Sequence, residues 1–343
     1  MQMQCCDATV LNRSYLADII KIQIKTARCL TSIKNKTQRM QRRKFMQQSA
    51  LAGAGLLAAS VAQAGNKKTT MADAPFHLNY GIHDGMFANS AGKDFIDQIK
   101  YAYDLGFRSI EDNGLTGRST DMQQKIGDTL AKLGMTMGVF VVDKGGNGAN
   151  TLAAGKQEYV DVFLKGCRQA VEVAKRVNAK WATVVPGDFD RSKSVDIQTA
   201  NVIMALRKGA EILEPAGLVM VLEPLSDSPN LFLRDVEQTY MICKGVNSPS
   251  CKILYDMFHI QRNRGDIIRQ IDDCWDEIAY FQIGDNPGRK EPTTGEMNYK
   301  NIFKHIYQKG YKGVMGMEHG ISKPGKEGEA RLVQAYRESD DFL

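Results

Sequence analysis

Glu223, Asp256, Gln282 and Glu318 each stand at the end of a short apolar, β-rich run. Three carboxylates and one amide make an all-oxygen set. Gathered at one mouth, the carboxylates repel one another, so something positive has to compensate them. A hard divalent cation such as Mg²⁺ or Mn²⁺ suits such a set better than a structural zinc, and four protein ligands leave positions open for substrate oxygens. Salt bridges with nearby Lys or Arg are the alternative reading. His259, Asp285 and His319 stand at the ends of the same runs as Asp256, Gln282 and Glu318, and other ionisable groups end the remaining runs: His83 and Asp84, Glu111 and Asp112, Asp143 and Lys144, and Asp188. His83 is a candidate for reaching a substrate.

The elements that must bring these residues together follow a repeat. Strand-like runs begin at Phe76, Phe107, Met135, Lys180, Leu218, Lys252, Ile278 and Gly313. Amphipathic stretches such as 94–105, 122–133, 158–177, 199–213 and 236–244 lie between them, and Gly106, Gly134 and Gly310 stand where helices should end. Strand alternating with helix predicts parallel strands joined by right-handed crossovers. Eight units predict an α/β fold, a (β/α)8 TIM barrel in a single domain over 76–343, with its chemistry at the carboxyl ends of the strands. A doubly wound sheet would show a GxGxxG turn after the first strand, and Gly81–Gly85 is not one. The glycine-rich stretch after Lys144 lacks the GK[ST] of a phosphate loop and reads either as a mobile lid or as a linker.

The chain has 343 residues and a net charge of +6, but the charge is uneven. Residues 1–66 carry ten Lys and Arg against two acids, whereas 67–343 have a net charge of −2. A near-neutral body gives no electrostatic footprint for nucleic acid. The basic end reads as an address. Arg42-Arg43 and Phe45 precede an apolar stretch too short to span a bilayer, and Ala62-Gln63-Ala64 has the small-x-small form of a cleavage site. That pattern predicts a twin-arginine signal over 40–64, export by the twin-arginine machinery to the periplasm, and no stable membrane span after cleavage. Residues 1–39 read as a gene-model extension or a long charged leader, and 65–75 as a linker. Of seven cysteines, Cys167, Cys243, Cys251 and Cys274 fall in the body, without a CxxC motif or framework spacing, and read as unpaired.

The segment from Tyr280 through Gln282, Asp285-Asn-Pro-Gly288-Arg289 and Gly295-Glu296 to Tyr299 resembles hydroxypyruvate isomerase and its relatives in the xylose-isomerase-like TIM-barrel superfamily. Leu222-Glu223-Pro224, Tyr255-Asp256-Met-Phe-His259 and Gly316-Met-Glu318 resemble that family's motifs on strands 5, 6 and 8. The resemblance covers roughly 76–340. It implies that Glu223, Asp256, Gln282 and Glu318 bind a divalent metal, that His259 and Arg289 hold the substrate, and that Glu223 and Glu318 move protons. Taken alone, Arg289 has a rival reading as a loop salt bridge with Glu291 or Glu296. The sequence departs from related ketohexose epimerases at Pro229, where they carry a Glu. The superfamily's DNA-repair branch, rich in histidine and zinc, does not fit a chain with five His.

The chemistry fits the residue types. Interconverting an α-hydroxy ketone and an aldehyde requires proton removal from carbon, a metal to stabilise the cis-enediolate, and carboxylates to take and return the proton. The expected activity is a metal-dependent, hydroxypyruvate isomerase-like isomerisation of a small α-hydroxycarbonyl compound. A sugar epimerase or keto-sugar lyase using the same site is the first alternative, and a non-catalytic carbohydrate-binding barrel is the second. The sequence leaves a homo-oligomer open.

Overall fold

The computed structural model describes residues 75–343, so the expected export signal and the reading of 1–39 lie outside the described residues. Eight strands carry the fold: β1 (Asn79–Ile82), β2 (Ser109–Ile110), β3 (Thr136–Met137), β4 (Trp181–Val184), β5 (Val219–Leu222), β6 (Cys251–Asp256), β7 (Ile278–Gln282) and β8 (Val314–Gly316). Seven fall inside the predicted runs, and β6 starts one residue before the run expected from Lys252. Ten α-helices alternate with them among the described residues: α1 (Ala88–Ala91), α2 (Phe95–Asp104), α3 (Thr120–Leu133), α4 (Gln157–Val177), α5 (Val195–Leu213), α6 (Val236–Val246), α7 (Met257–Asn263), α8 (Ile267–Cys274), α9 (Tyr299–Gln308) and α10 (Gly325–Asp340).

All pairings are parallel, in the order β3-β2-β1-β8-β7-β6-β5-β4. The two outer strands meet through an irregular seam. The sequence suggests one run from Met135 to Val142, but β3 stops at Met137, and residues 140–142 then turn to β4. The Thr183 N–H donates to the Phe140 carbonyl (2.8 Å) and the Val142 N–H to the Thr183 carbonyl (3.0 Å), with a parallel bridge between Val141 and Thr183. The break falls at Gly138, where a Cβ would stand 2.2 Å from the Tyr280 hydroxyl oxygen. Closure of this kind makes the sheet a TIM barrel.

Local signals fix the helices. Asp94, Ser119, Ser194, Asp235 and Asn298 cap α2, α3, α5, α6 and α9 by accepting backbone N–H bonds. Gly134, left-handed at φ 65°, ends α3 as expected. No helix among the described residues is long and apolar enough to cross a membrane. Cys167, Cys243, Cys251 and Cys274 are buried free thiols.

Strand alternation positions the chemistry. Val139, Val221, Leu254, Tyr280 and Val314 form a buried cluster separate from the main core. Side chains two apart on a strand share a face. The next position on that face is Glu223 after Val221, Asp256 after Leu254, Gln282 after Tyr280, and Gly316 and then Glu318 after Val314. The register agrees, pairing Asp256 with Gln282 and Gln282 with Gly316. An apolar layer thus underlies a polar one at the carboxyl end.

Candidate metal and active site

Asp256 ends β6 and caps α7, its Oδ1 accepting the Phe258 N–H at 2.8 Å. That bond fixes the carboxylate and leaves Oδ2 facing the mouth. One ligating atom from each of Glu223, Asp256, His259 and Glu318 lies within 4.8 Å of every other, so the group could hold a metal ion. Glu223, Asp256 and His259 are buried, and Glu318 is partly exposed.

Gln282 lies beside them, and its buried Oε1 has no hydrogen-bond partner. Its Nε2 donates to both oxygens of Glu111, at 3.3 and 3.4 Å. Glu111 itself is fully buried and receives His83 Nε2 at 2.5 Å. A carboxylate binding the amide's NH₂ turns the amide oxygen away from itself. An orphaned buried oxygen beside three carboxylates is the donor that a hard cation would take up. The residues present therefore fit a divalent ion.

Room for Glu111 comes from Gly316, where a Cβ would stand 1.7 Å from its Oε1. Gly316→Ala is expected to lower stability by about 1–3 kcal/mol through overpacking. Urea unfolding measures it, and an unchanged midpoint would contradict the packing account.

His259 is held from behind. The Ser226 N–H points at its Nδ1 at 3.2 Å, and the Ser226 hydroxyl lies 2.8 Å away. A backbone N–H can only donate, so Nδ1 accepts and the neutral ring carries its proton on Nε2. Burial lowers the His259 pKa, despite the opposing Asp256 charge, and favours that neutral form. Nε2 is buried without a hydrogen-bond partner, 3.4 Å from Asp256 Oδ2 and 3.8 Å from Glu223 Oε1. In this tautomer it is a donor rather than a ligand.

Arg289, left-handed at φ 48°, sends Nη2 to Glu318 Oε2 (2.8 Å) and Asp256 Oδ2 (3.1 Å), and Nε to the Glu318 carbonyl (3.1 Å). It stacks over Phe258. The rival partners are engaged elsewhere: Glu291 accepts from Ser322, and Glu296 accepts from Gln261. Asn113 Nδ2 donates to Glu318 Oε1 at 2.6 Å, so both oxygens of Glu318 are held.

The electrostatics follow from this crowding. Burial pushes Glu223 well above the usual carboxylate range, and the Glu318 and Asp256 charges push it further against the pull of Arg289. Burial and the Asp256 charge raise Glu318 in the same way. Burial alone would lower His83, but Glu111 outweighs it and the net shift is upward.

Glu223, Glu318, His259 and Arg289 line a cavity of about 220 Å³. His83 does not line it and meets the site through Glu111. The stretch after Lys144 forms a tethered wall: Nζ donates to the carbonyls of Gly146, Asn147 and Ala149. Sequence reasoning noticed Glu111 only as one charge among several and missed Asn113 and Ser226. Gly316 and Gly138, small residues inside apolar runs, are the sequence's hint that a buried side chain crosses the barrel there.

The family model for the xylose isomerase-like TIM barrel matches residues 99–339. The chain belongs to that family. It is 31% identical over 179 residues to hydroxypyruvate isomerase of Escherichia coli, a match covering 51% of this chain and 68% of that protein. It is 30% identical over 140 residues to 2-oxo-tetronate isomerase of Cupriavidus necator, a match covering 40% of this chain and 52% of that one. Within the family the chain is a hydroxypyruvate isomerase-like member and an isomerase. Two solved structures share the fold. An AP endonuclease of family 2 from Brucella melitensis gives a TM-score of 0.64 at 22% identity, covering 75% of this chain and 98% of its own. The 3-keto-D-glucoside 4-epimerase of E. coli gives 0.61 at 18%, covering 76% and 97%. At those identities the likeness concerns the fold alone.

Proposed function

We propose that the chain is a divalent-metal-dependent isomerase that interconverts an α-hydroxy ketone and an aldehyde through a cis-enediolate. The observation that carries the reading is the closeness of two raised-pKa glutamates, Glu223 and Glu318, to a neutral His259 that presents an N–H. Glu223, Asp256, Gln282 and Glu318 would hold the cation, Mg²⁺ or Mn²⁺ by the oxygen character of the set. A cation held there supplies positive charge where negative charge develops on the substrate oxygens.

One glutamate takes the proton from the hydroxyl-bearing carbon, and the same or the opposite one returns it to the neighbouring carbon, while the hydroxyl proton passes to the former carbonyl oxygen. His259 Nε2 donates to a substrate oxygen and stabilises charge there. Arg289 orients Glu318 and Asp256 and offers its remaining N–H groups to the substrate. The test incubates the Mg²⁺- or Mn²⁺-loaded protein with hydroxypyruvate and follows the aldehyde signal by proton NMR. The reading expects metal-dependent appearance of aldehyde. Its absence here and with longer hydroxyketones would overturn it.

The proposal extends to location. The Arg42-Arg43 pattern supports export through the twin-arginine route to the periplasm, which would allow the metal to be loaded before transport. Arg42→Lys combined with Arg43→Lys is expected to leave most of the protein in the cytoplasm, measured by cell fractionation. An unchanged periplasmic fraction would contradict that route.

A further inference from the structure

Glu111 is a fully buried carboxylate that the proposed chemistry leaves unused. Its backbone is anchored to β1, the N–H donating to the Ile82 carbonyl at 2.8 Å. It does not line the reaction cavity, so it touches no substrate there. The barrel nevertheless keeps room for it on the β8 and β3 sides. A Cβ at Gly316 would stand 1.7 Å from its Oε1, and one at Gly138 would stand 3.1 Å from its Cγ. A buried carboxylate is unfavourable unless hydrogen bonds compensate it, so its neighbours have to supply donors.

Three groups converge on it. His83 Nε2 lies 2.5 Å from Oε2, and Gln282 Nε2 reaches both oxygens. The Tyr280 hydroxyl is the third. That hydroxyl accepts the Val139 N–H at 3.3 Å, so its own proton goes to the carboxylate. Glu111 is thus an acceptor on every side, and Gln282 can meet it only through its NH₂.

The direction of that amide matters because its two ends are nearly alike in size and opposite in character. With no cation present, the carboxylates of Glu223, Asp256 and Glu318 attract the NH₂ end as well. An amide turned towards them presents donors to an arriving cation. Glu111 draws the NH₂ to the opposite side instead, and Gln282 Oε1 is left buried without a hydrogen-bond partner.

We infer that Glu111 is a positioning residue for the metal centre: it locks the Gln282 amide with its oxygen towards the cation site, so that the donor set is ready before the ion arrives. His83 holds the carboxylate and acts on the site through it. The inference rests on the metal reading of Glu223, Asp256, Gln282 and Glu318, and not on the identity of the substrate.

Two variants that remove the same charge supply the test. Glu111→Met keeps the length and leaves no oxygen, whereas Glu111→Gln keeps one oxygen to accept the Gln282 NH₂. Calorimetry with Mn²⁺ should show Glu111→Met binding at least about tenfold more weakly than the wild type and Glu111→Gln within about threefold of it, in line with the ~10–100-fold losses seen when a group orienting a metal ligand is removed. Melting temperatures control for folding. Equal affinity in Glu111→Met and the wild type, or equal losses in both variants, would overturn the inference and leave the metal site standing. Wild-type protein that binds no Mn²⁺ would overturn the metal reading on which the inference rests. If Glu111→Met does not fold, NMR of the wild type decides. Nuclear Overhauser contacts from the Gln282 NH₂ to the Glu111 Hγ and His83 ring protons are expected in the metal-free protein. Their appearance only after Mg²⁺ is added, or their absence throughout, would overturn the positioning role.

Discussion

Glu223→Gln and Glu318→Gln are each expected to lower turnover at least about a hundredfold, within the ~10²–10⁴ range of general acid–base contributions. Gln keeps the size and removes the basic oxygen. The structure adds a second effect at Glu318. Its two oxygens accept from Asn113 Nδ2 and Arg289 Nη2. Arg can only donate, so a Gln keeps that bond with its oxygen and turns its NH₂ to Asn113, whose amide must reverse to accept it. At Glu223 the loss is chiefly chemical, because burial and neighbouring charge raise its basicity. Turnover should be compared at matched metal content, with the melting temperature as a control. Near-normal turnover in both variants would contradict the assignment of Glu223 and Glu318 as acid and base.

Stripping the metal with a chelator should cost more. Several kcal/mol of charge stabilisation disappears, and each ~1.4 kcal/mol is tenfold in rate, so turnover should fall about a thousandfold and return with Mg²⁺ or Mn²⁺. The pH dependence has a definite sign. In the metal-free protein Glu223 and Glu318 have raised pKa values, so the folded state holds protons that the unfolded chain has released. Stability of the metal-free form should therefore fall as pH rises from the ordinary carboxylate range towards neutrality. A cation needs both groups ionised, so it expels those protons, and its affinity should climb over the same interval. Calorimetry in two buffers of different ionisation enthalpy measures the release. PH-independent affinity, or activity that survives chelation, would contradict the metal site.

Much of the barrel was legible because its signals are local. Eight apolar runs and the helix-ending glycines Gly106, Gly134 and Gly310 each report on a few neighbouring residues. The seam was not legible: whether 138–142 continues β3 or turns to β4 depends on Tyr280, far away in sequence, whose hydroxyl needs the space at Gly138. The strand-end carboxylates could be read as a group because position on a barrel strand decides which end a side chain occupies. Their partners could not. Asn113 on Glu318, Ser226 on His259 and Glu111 on Gln282 come from loops and strands whose pairing exists only after folding. His83 shows the same limit. It stands after β1 as expected, yet Glu111 has taken its Nε2.

Deuterium wash-in tests the central claim most directly. The metal-loaded protein, residues 65–343, would be incubated in heavy water with hydroxypyruvate, ketohexoses, aldoses and keto-glycosides, with chelated protein and Glu318→Gln as controls. Mass spectrometry would then read label on carbon. The account predicts metal-dependent incorporation next to the carbonyl in at least one compound, lost on chelation and at least about a hundredfold slower in Glu318→Gln. Tight metal binding with no label in any compound would contradict it and leave a barrel that binds without turning over.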